Sequence, residues 1–311
     1  MKRILLALGI VFLAAGCGVE KGGPIPPVPD ATVVLQQAWN RYDALDFDAA
    51  YTLFDSVIRL DNTMAEAHLG FGWAAVQTDQ LTEAQSGFSF AIILSGGAMI
   101  TPIFNETVAP TDTQRYRVVF LTLPGDTTPS DTFVVVKTAH APVLGLSSAS
   151  INYTEQPLRA FDDTSFTLKA ALSELDTFSH RLVLSDTLFL NYYVYYSGVD
   201  FGDEEWVNLF AHVGNAVSTL DVEGKNLMNT VVYARAALAH GVVDSFAHYP
   251  YVGEREVRLL LAQAYLRLNL MENCVQELKN VDPTWDFNGD PFDPDNYPLI
   301  LEELEKLLNE G

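Results

Sequence analysis

The residues from Ala31 to Ala98 form one 34-residue unit written twice, and this repeat constrains the fold more than any other feature. When Ala31–Met64 is placed above Ala65–Ala98 without a gap, similar side chains coincide. The matched pairs are Trp39 with Trp73, Phe47 with Leu81, Ala50 with Ala84, Phe54 with Phe88, Ile58 with Ile92 and Leu60 with Leu94. A fixed period of 34 is typical of solenoids built from helix–turn–helix units. Such solenoids present extended surfaces, so the repeat predicts a binding protein and not a reaction centre.

The second copy of the repeat shows the pattern more clearly than the first. Gly72 and Ala84 are small where the two helices of a hairpin approach each other, and Phe88 and Leu94 can fill the space toward the next helix. The first copy has Ala38 in the glycine position. These residues resemble the tetratricopeptide repeat (TPR) family. The resemblance implies that residues 31–98 are two stacked helical hairpins with a groove for a partner.

The C-terminal part, residues 201–311, is predicted to continue the helical array. The residues that keep the repeat's spacing of small and large side chains in a third unit are Ala262, Tyr265, Cys274, Leu278, Val281 and Pro283. Apolar residues at helical spacing predict two earlier helices, Glu204–Ser218 and Leu227–Ala239. The amphipathic stretch Pro298–Leu308 predicts a capping helix, because a solenoid needs a terminal helix with a polar outer face. The alternative is that this last helix docks a partner.

Residues 99–200 have a different character, rich in β-branched and aromatic side chains. Tyr116–Leu123 and Thr132–Thr138 predict a hairpin through a Gly- and Pro-containing turn. Arg181–Leu184 and Leu188–Tyr196 predict two more strands, and the last is apolar on both faces, as expected for a central strand that is covered on both sides. Ser165–Leu175 is ambiguous and is interpreted as a short helix. The predicted fold class is therefore α+β, mainly α: a TPR-like helical solenoid interrupted by a small antiparallel β insert.

The N-terminus predicts export and lipidation. Two basic residues precede a 12-residue apolar run from Ile4 to Ala15, followed by Gly16 and Cys17. A basic start, a short apolar core and small residues before a cleavage point are typical of a signal peptide. Small residues directly before a cysteine resemble a bacterial lipobox, which implies that residues 1–16 are removed and Cys17 is lipidated. The alternative is an ordinary signal peptide with an incidental cysteine.

Composition indicates where the mature chain resides and which partners it avoids. Residues 17–30 are rich in glycine and proline, as in a flexible tether. Because no aspartate follows Cys17, we expect an outer-membrane anchor that faces the periplasm. Without Lys2 and Arg3, 16 basic residues remain against 40 acidic ones, a formal charge of −24. Such a chain is repelled by phosphate backbones, so no nucleic-acid partner is predicted.

The chain lacks the sequence patterns of common catalytic and metal sites. It contains no H-E-x-x-H, C-x-x-C, G-x-S-x-G or phosphate-binding loop, so we predict no catalytic residue, metal or cofactor. Cys274 is interpreted as a buried, inert thiol. The segment Asp286–Asn296 matches part of a calcium loop but lacks the final glutamate, where Tyr297 stands. A turn-rich linker with Asn296 capping the last helix is the preferred interpretation.

The matched tryptophans suggest how the protein binds a partner. In the TPR family their position faces the groove, and exposed aromatic side chains at repeated positions make anchors for a bound segment. The predicted partner-binding residues are Trp39, Tyr42, Asp43, Leu69, Trp73 and Gln77. The alternative is that the β insert or the C-terminal helices bury both indoles. We expect a lipid-anchored scaffold that holds an envelope protein or peptide. The alternative is a glycan- or small-molecule-binding lipoprotein with Tyr193, Tyr195 and the two tryptophans as stacking platforms.

Overall fold

The computed structural model describes residues 29–96, 100–109, 112, 115–121, 131–151, 154–169, 175–176, 181–182, 187–195, 205–220, 227–241, 248 and 252–310. The predicted signal peptide, Cys17, most of the tether and most of the turn at residues 124–131 lie outside these ranges. Within them the protein is α+β and mainly helical, with small antiparallel sheets between two helical blocks.

The helices form a continuous array in which each one packs on the next. They are α1 Ala31–Asp43, α2 Phe47–Leu60, α3 Ala65–Gln77, α4 Leu81–Leu94, α5 Glu205–Leu220, α6 Leu227–His240, α7 Glu254–Arg267, α8 Met271–Val281 and α9 Tyr297–Asn309. The odd-numbered helices also contact one another in the order α1, α3, α5, α7 and α9. The predicted helices are confirmed, and α9 packs on α7 and α8 at the end of the array.

Three of the helix connections have the same geometry. Leu45, Asp79 and Asn269 each adopt a left-handed backbone conformation, with φ of 61°, 61° and 58°. The amide that follows each of them donates to a carbonyl in the preceding helix. These bonds are Asp46 N to Arg41 O at 2.9 Å, Gln80 N to Ala75 O at 2.8 Å and Leu270 N to Tyr265 O at 2.8 Å. This is a Schellman-type helix end. The third predicted hairpin, α7–α8, therefore turns as α1–α2 and α3–α4 do.

Where the structure describes it, the insert between α4 and α5 forms two four-stranded antiparallel sheets and one short strand pair. The strands are β1 Ile100–Val108, β2 Tyr116–Leu121, β3 Asp131–Lys137, β4 Val143–Ile151, β5 Thr154–Glu155, β6 Leu158–Phe161, β7 Ser165–Lys169, β8 Leu175–Asp176, β9 Arg181–Leu182 and β10 Leu188–Tyr195. The sheet orders are β1-β10-β4-β5 and β2-β3-β7-β6, and β8 pairs with β9. The predicted hairpin is confirmed as β2–β3, and β10 is central as predicted.

Two predictions for the insert need correction. Ser165–Leu175 is not a helix where the structure describes it, because Ser165–Lys169 forms β7. Its apolar residues Phe166 and Leu168 alternate with polar ones, and this period of two places both on the buried face. Strand β10 is fully buried on one face only, since Phe189 on the other face is 50% exposed. The insert contacts the helical array through β1, β4 and β10 on α6 and through β6 on α8.

Candidate functional site

The predicted groove residues lie on the layer of odd-numbered helices, and packing contacts extend their register beyond the two sequence repeats. Phe54 presses against Gly70, where an added Cβ would lie 2.2 Å from the ring. Phe88 presses in the same way against Gly214 of α5, at 2.3 Å. Gly70 and Gly214 are therefore equivalent positions. Because Leu69 precedes Gly70 and Trp73 follows it by three residues, their counterparts on α5 lie at positions 213 and 217.

The shared turn geometry supplies the same alignment for α7. Asn269 stands in the turn of α7–α8 where Asp79 stands in the turn of α3–α4. Counting back from these two residues pairs Leu69 with Leu259 and Trp73 with Gln263. We call the resulting ladder of side chains the odd-helix face. Its members are Leu35 and Trp39 on α1, Leu69 and Trp73 on α3, Val213 and Val217 on α5, and Leu259 and Gln263 on α7.

Trp39 is covered by the C-terminal half of the chain. Its indole is 2% exposed and stacks on the imidazole of His248, with ring centroids 4.0 Å apart and planes 9° from parallel. The indole nitrogen donates to Glu66 Oε1 at 2.7 Å. His248 Nδ1 also lies 2.9 Å from Asp43 Oδ1. His248, in the connection between α6 and α7, thus contacts the first helix.

Trp73 is enclosed more completely than Trp39. Its indole has no exposed surface and meets the edge of Phe88, with centroids 5.4 Å apart. Tyr42 and Leu69 are also buried, whereas Asp43 is exposed and Gln77 is half-buried. The expectation that the matched aromatic side chains are exposed is therefore wrong. The alternative, in which the C-terminal region covers the indoles, is correct for Trp39, which His248 covers.

The same face is open further along the array. An apolar cavity of about 320 Å³ lies between α5 and α7. Val213 and Val217 line one side, and Leu259 and Gln263 line the other. These side chains occupy the ladder positions that carry leucine and tryptophan in α1 and α3. Valine and glutamine are much smaller than tryptophan, so the face keeps an unfilled apolar space at this end.

The rim of this cavity carries charged groups from α7. Arg255 donates to the carbonyl oxygen of Leu307 at 2.7 Å, which fixes the C-terminal turn of α9 beside the cavity. Glu256 also lines the cavity, and its carboxylate accepts from the amide of Gly253 at 2.9 Å. The carboxylate thus closes the N-terminal end of α7, where negative charge is favourable. The resulting site has an apolar floor with one cation and one anion at its edge.

A polar cluster that the sequence did not reveal lies where β10 meets α5 and α6. His240 Nε2 is 3.1 Å from Glu205 Oε1, and His240 Nδ1 is 3.2 Å from the hydroxyl of Tyr195. Burial lowers the pKa of His240, and the carboxylate of Glu205 opposes that shift. Burial also raises the pKa of the Tyr195 phenol. Both effects favour neutral side chains, so the cluster serves as a hydrogen-bonded joint between the insert and the helices.

The remaining candidate residues occupy structural positions. Cys274 is fully buried as predicted, and burial raises the pKa of its thiol to about 12, so the reactive thiolate is suppressed. In the segment Asp286–Asn296, Asp290 and Asp293 accept from backbone amides two residues ahead, as in Asx turns. Asn296 occupies the position before α9, but its side chain donates to Asp290 O at 3.0 Å instead of capping the helix.

Comparison with known proteins supplies no family for this fold. No protein-family model matches the chain, and no curated protein or solved structure is significantly similar to it. Among the described residues, no helix has the length and apolar character needed to cross a bilayer. In the same residues no group of three or more His, Cys, Asp or Glu side chains is placed to hold a metal ion. The odd-helix face is therefore interpreted from its own geometry.

Proposed function

We propose that this protein is a lipid-anchored interaction protein of the bacterial cell envelope, which holds a segment of a partner protein against its odd-helix face. The observation that supports the proposal is the apolar cavity of about 320 Å³ in line with the buried tryptophans. Its volume lies in the range of sites that take a bulky side chain or a small ligand. The repeat spacing and the three similar turns favour assignment of the hairpins to the tetratricopeptide type.

The cavity suggests the chemistry of the segment that binds there. Trp39 and Trp73 fill the equivalent positions on α1 and α3, so an aromatic or large aliphatic side chain fits the position that Val217 and Gln263 leave open. The net charge of the chain favours basic residues beside that anchor, whereas Arg255 and Glu256 on the rim lie 3.6 Å apart and offset each other. The proposed partner segment is therefore a large apolar residue flanked by lysine or arginine.

A photo-crosslinking residue placed at Leu308 tests the groove directly, because this side chain lines the cavity and is 43% exposed. In cells that express the full chain, illumination is expected to give a discrete adduct, identified by mass spectrometry, from Leu308→benzoylphenylalanine. The same residue at the exposed Gln36 of α1 is the control and should give no adduct of that mass. A matched second test is Gln263→Trp, which fills the cavity from within and should abolish crosslinking from Leu308. No adduct from Leu308, or equal adducts from Leu308 and Gln36, would contradict a site on this face.

Membrane attachment is proposed to occur through an acyl chain on Cys17. Replacement of Cys17 with serine removes the thiol that accepts the lipid, so the variant should incorporate no radiolabelled palmitate. An acyl chain supplies about 0.8 kcal/mol of membrane affinity per buried methylene, and this contribution is lost with the thiol. Cys274→Ser is the matched control, and labelling should persist in it. Retention of label in the Cys17→Ser protein would exclude the lipoprotein proposal.

A further inference from the structure

A second cavity, of about 480 Å³, lies between the β insert and helices α6, α7 and α8. The insert contributes Asp162 and Asp163, and the helices contribute two arginines and a row of polar side chains on α8. Pro142 and Leu238, both half-buried, form an apolar wall. We call this space the insert cleft. It is lined by different residues from the cavity on the odd-helix face, so an inference about it does not depend on the proposed partner groove.

Arg235 forms the floor of the insert cleft and is held rigidly. Its Nε and Nη2 atoms donate to the carbonyl oxygen of Val143 at 3.2 and 2.9 Å. Nη2 also pairs with Asp163, and Nη1 donates to the hydroxyl of Tyr265 at 3.4 Å. The guanidinium carbon lies 4.8 Å from the centre of the Phe161 ring. Its charge is thus balanced by Asp163, and its orientation is fixed from three sides.

The opposite side of the insert cleft is a hydrogen-bonded row from α7 and α8. Arg258 Nη1 donates to Glu277 Oε2 at 2.9 Å, and its Nη2 pairs with Glu254 at 2.7 Å. Asn280 Nδ2 donates to the same Glu277 oxygen at 3.1 Å, and Gln276 Nε2 donates to Asn280 Oδ1 at 3.0 Å. Each cation in the cleft already has a carboxylate partner. An anionic ligand would therefore meet no uncompensated positive charge.

The side chains of this row retain hydrogen-bond donors and acceptors that no described residue uses. A guanidinium has five N–H groups, and the bonds to described residues use three of those of Arg258. Glu277 Oε1 and the carbonyl oxygen of the Gln276 side chain accept no hydrogen bond from any described residue. The cleft thus presents donors and acceptors that alternate over a few ångströms, beside an apolar wall. A group that donates and accepts at once complements this pattern, and a hydroxyl has that property.

We propose that the insert cleft binds a neutral saccharide of one or two sugar units. Neighbouring hydroxyls of a sugar ring would bridge Arg258, Glu277 and Gln276, with the apolar face of the ring against Pro142 and Leu238. The cleft volume suits a ligand of this size. The neutral class follows from the paired charges: a ligand carboxylate would compete with Glu277 for Arg258, and a ligand amine would compete with Arg258 for Glu277.

Titration calorimetry and ligand-observed NMR on the tether-free protein test this site. The probes are glucose, galactose, N-acetylglucosamine and their β-1,4-linked disaccharides, with glucuronate and glucosamine as charged counterparts. We expect at least one neutral sugar to bind and both charged counterparts to bind at least about tenfold more weakly. Removal of two amide partners in Gln276→Ala/Asn280→Ala should weaken binding of that sugar about tenfold.

The chain provides a matched control for this double variant. Gln36 and Asn40 on α1 form the same exposed i,i+4 pair, with Gln36 Nε2 3.3 Å from Asn40 Oδ1. Gln36→Ala/Asn40→Ala should leave sugar binding unchanged. Ala239→Trp, at an exposed position on the cleft wall, should block the cleft without disturbing the core. No binding of any neutral probe, equal binding of glucuronate, or equal binding by the Ala239→Trp protein would overturn the proposal. None of these outcomes bears on crosslinking at Leu308.

Discussion

Replacement of Phe88 with alanine is expected to lower the free energy of unfolding by about 3–5 kcal/mol, the largest effect of any single substitution considered for this chain. The Phe88 ring has no exposed surface and lies between Gly72 of α3 and Gly214 of α5. Added Cβ atoms at those glycines would be 2.5 and 2.3 Å from the ring. The ring thus fills space that two other helices leave open for it, so its removal creates a cavity where two helical blocks join.

Phe90 provides the control for this experiment, because it lies two residues further along the same helix and is 50% exposed. Phe90→Ala should change the free energy of unfolding by less than about 1 kcal/mol. Urea denaturation followed by tryptophan fluorescence measures both variants, with Trp73 as a reporter 5.4 Å from the Phe88 ring. Similar losses in the two proteins would mean that α4 and α5 do not depend on this contact.

The helical part of the fold follows from local sequence patterns. Apolar residues at helical spacing predict α5 and α6 even though those helices lack the full repeat signature. The repeat also places Gly72 opposite a phenylalanine, because small residues are needed where two helices touch. The left-handed turn at Leu45 is less visible, since leucine is uncommon in that conformation. Only its spacing of 34 residues from Asp79 marks the position as a repeated turn.

Local sequence patterns could not predict which segment of the chain covers the predicted groove. His248 contacts Asp43 across 205 residues of sequence, and nothing in the residues around His248 marks it as a partner for an indole. The repeat correctly groups Trp39 with Trp73 but does not indicate which other segment covers them. The same limit applies to the insert cleft, where Arg235 meets Asp163 across 72 residues. Contacts of this kind depend on how the insert folds back onto the helices.

Acidification is expected to destabilise the protein through His212. This side chain is completely buried on α5, and neither ring nitrogen has a hydrogen-bond partner among the described residues. Its ring faces Tyr233, with centroids 5.7 Å apart, and His240 lies near enough to oppose a second positive charge. Burial, with a smaller contribution from His240, lowers the pKa of His212 from 6.5 to about 3.

The sign of the effect follows from the direction of that pKa shift. Above pH 6.5 the imidazole is neutral in both the folded and the unfolded chain, so the group contributes no pH dependence. Below pH 6.5 the unfolded chain binds a proton that the folded chain binds only near pH 3. Stability is therefore lost as the pH falls through this window, by about 1.4 kcal/mol per pH unit and by several kcal/mol in total.

A variant that cannot titrate separates His212 from the other acid-sensitive groups. His212→Phe keeps a ring in the buried space and removes two polar atoms. The stability of this variant should therefore lack the pH dependence that the imidazole causes. Urea unfolding of both proteins is measured at pH 7.0, 5.5 and 4.5. The free energy of unfolding of the variant, relative to that of the wild type, should rise by about 1.4 kcal/mol for each pH unit below 6.5. Hydrogen bonds from Thr164 and Ser165 lower the pKa of Asp162 and outweigh the opposite effect of its partial burial. Asp162 is present in both proteins, so its contribution to the pH dependence cancels in the comparison. A difference between wild type and His212→Phe that stays constant from pH 7.0 to 4.5 would mean that the imidazole reaches solvent before it is protonated.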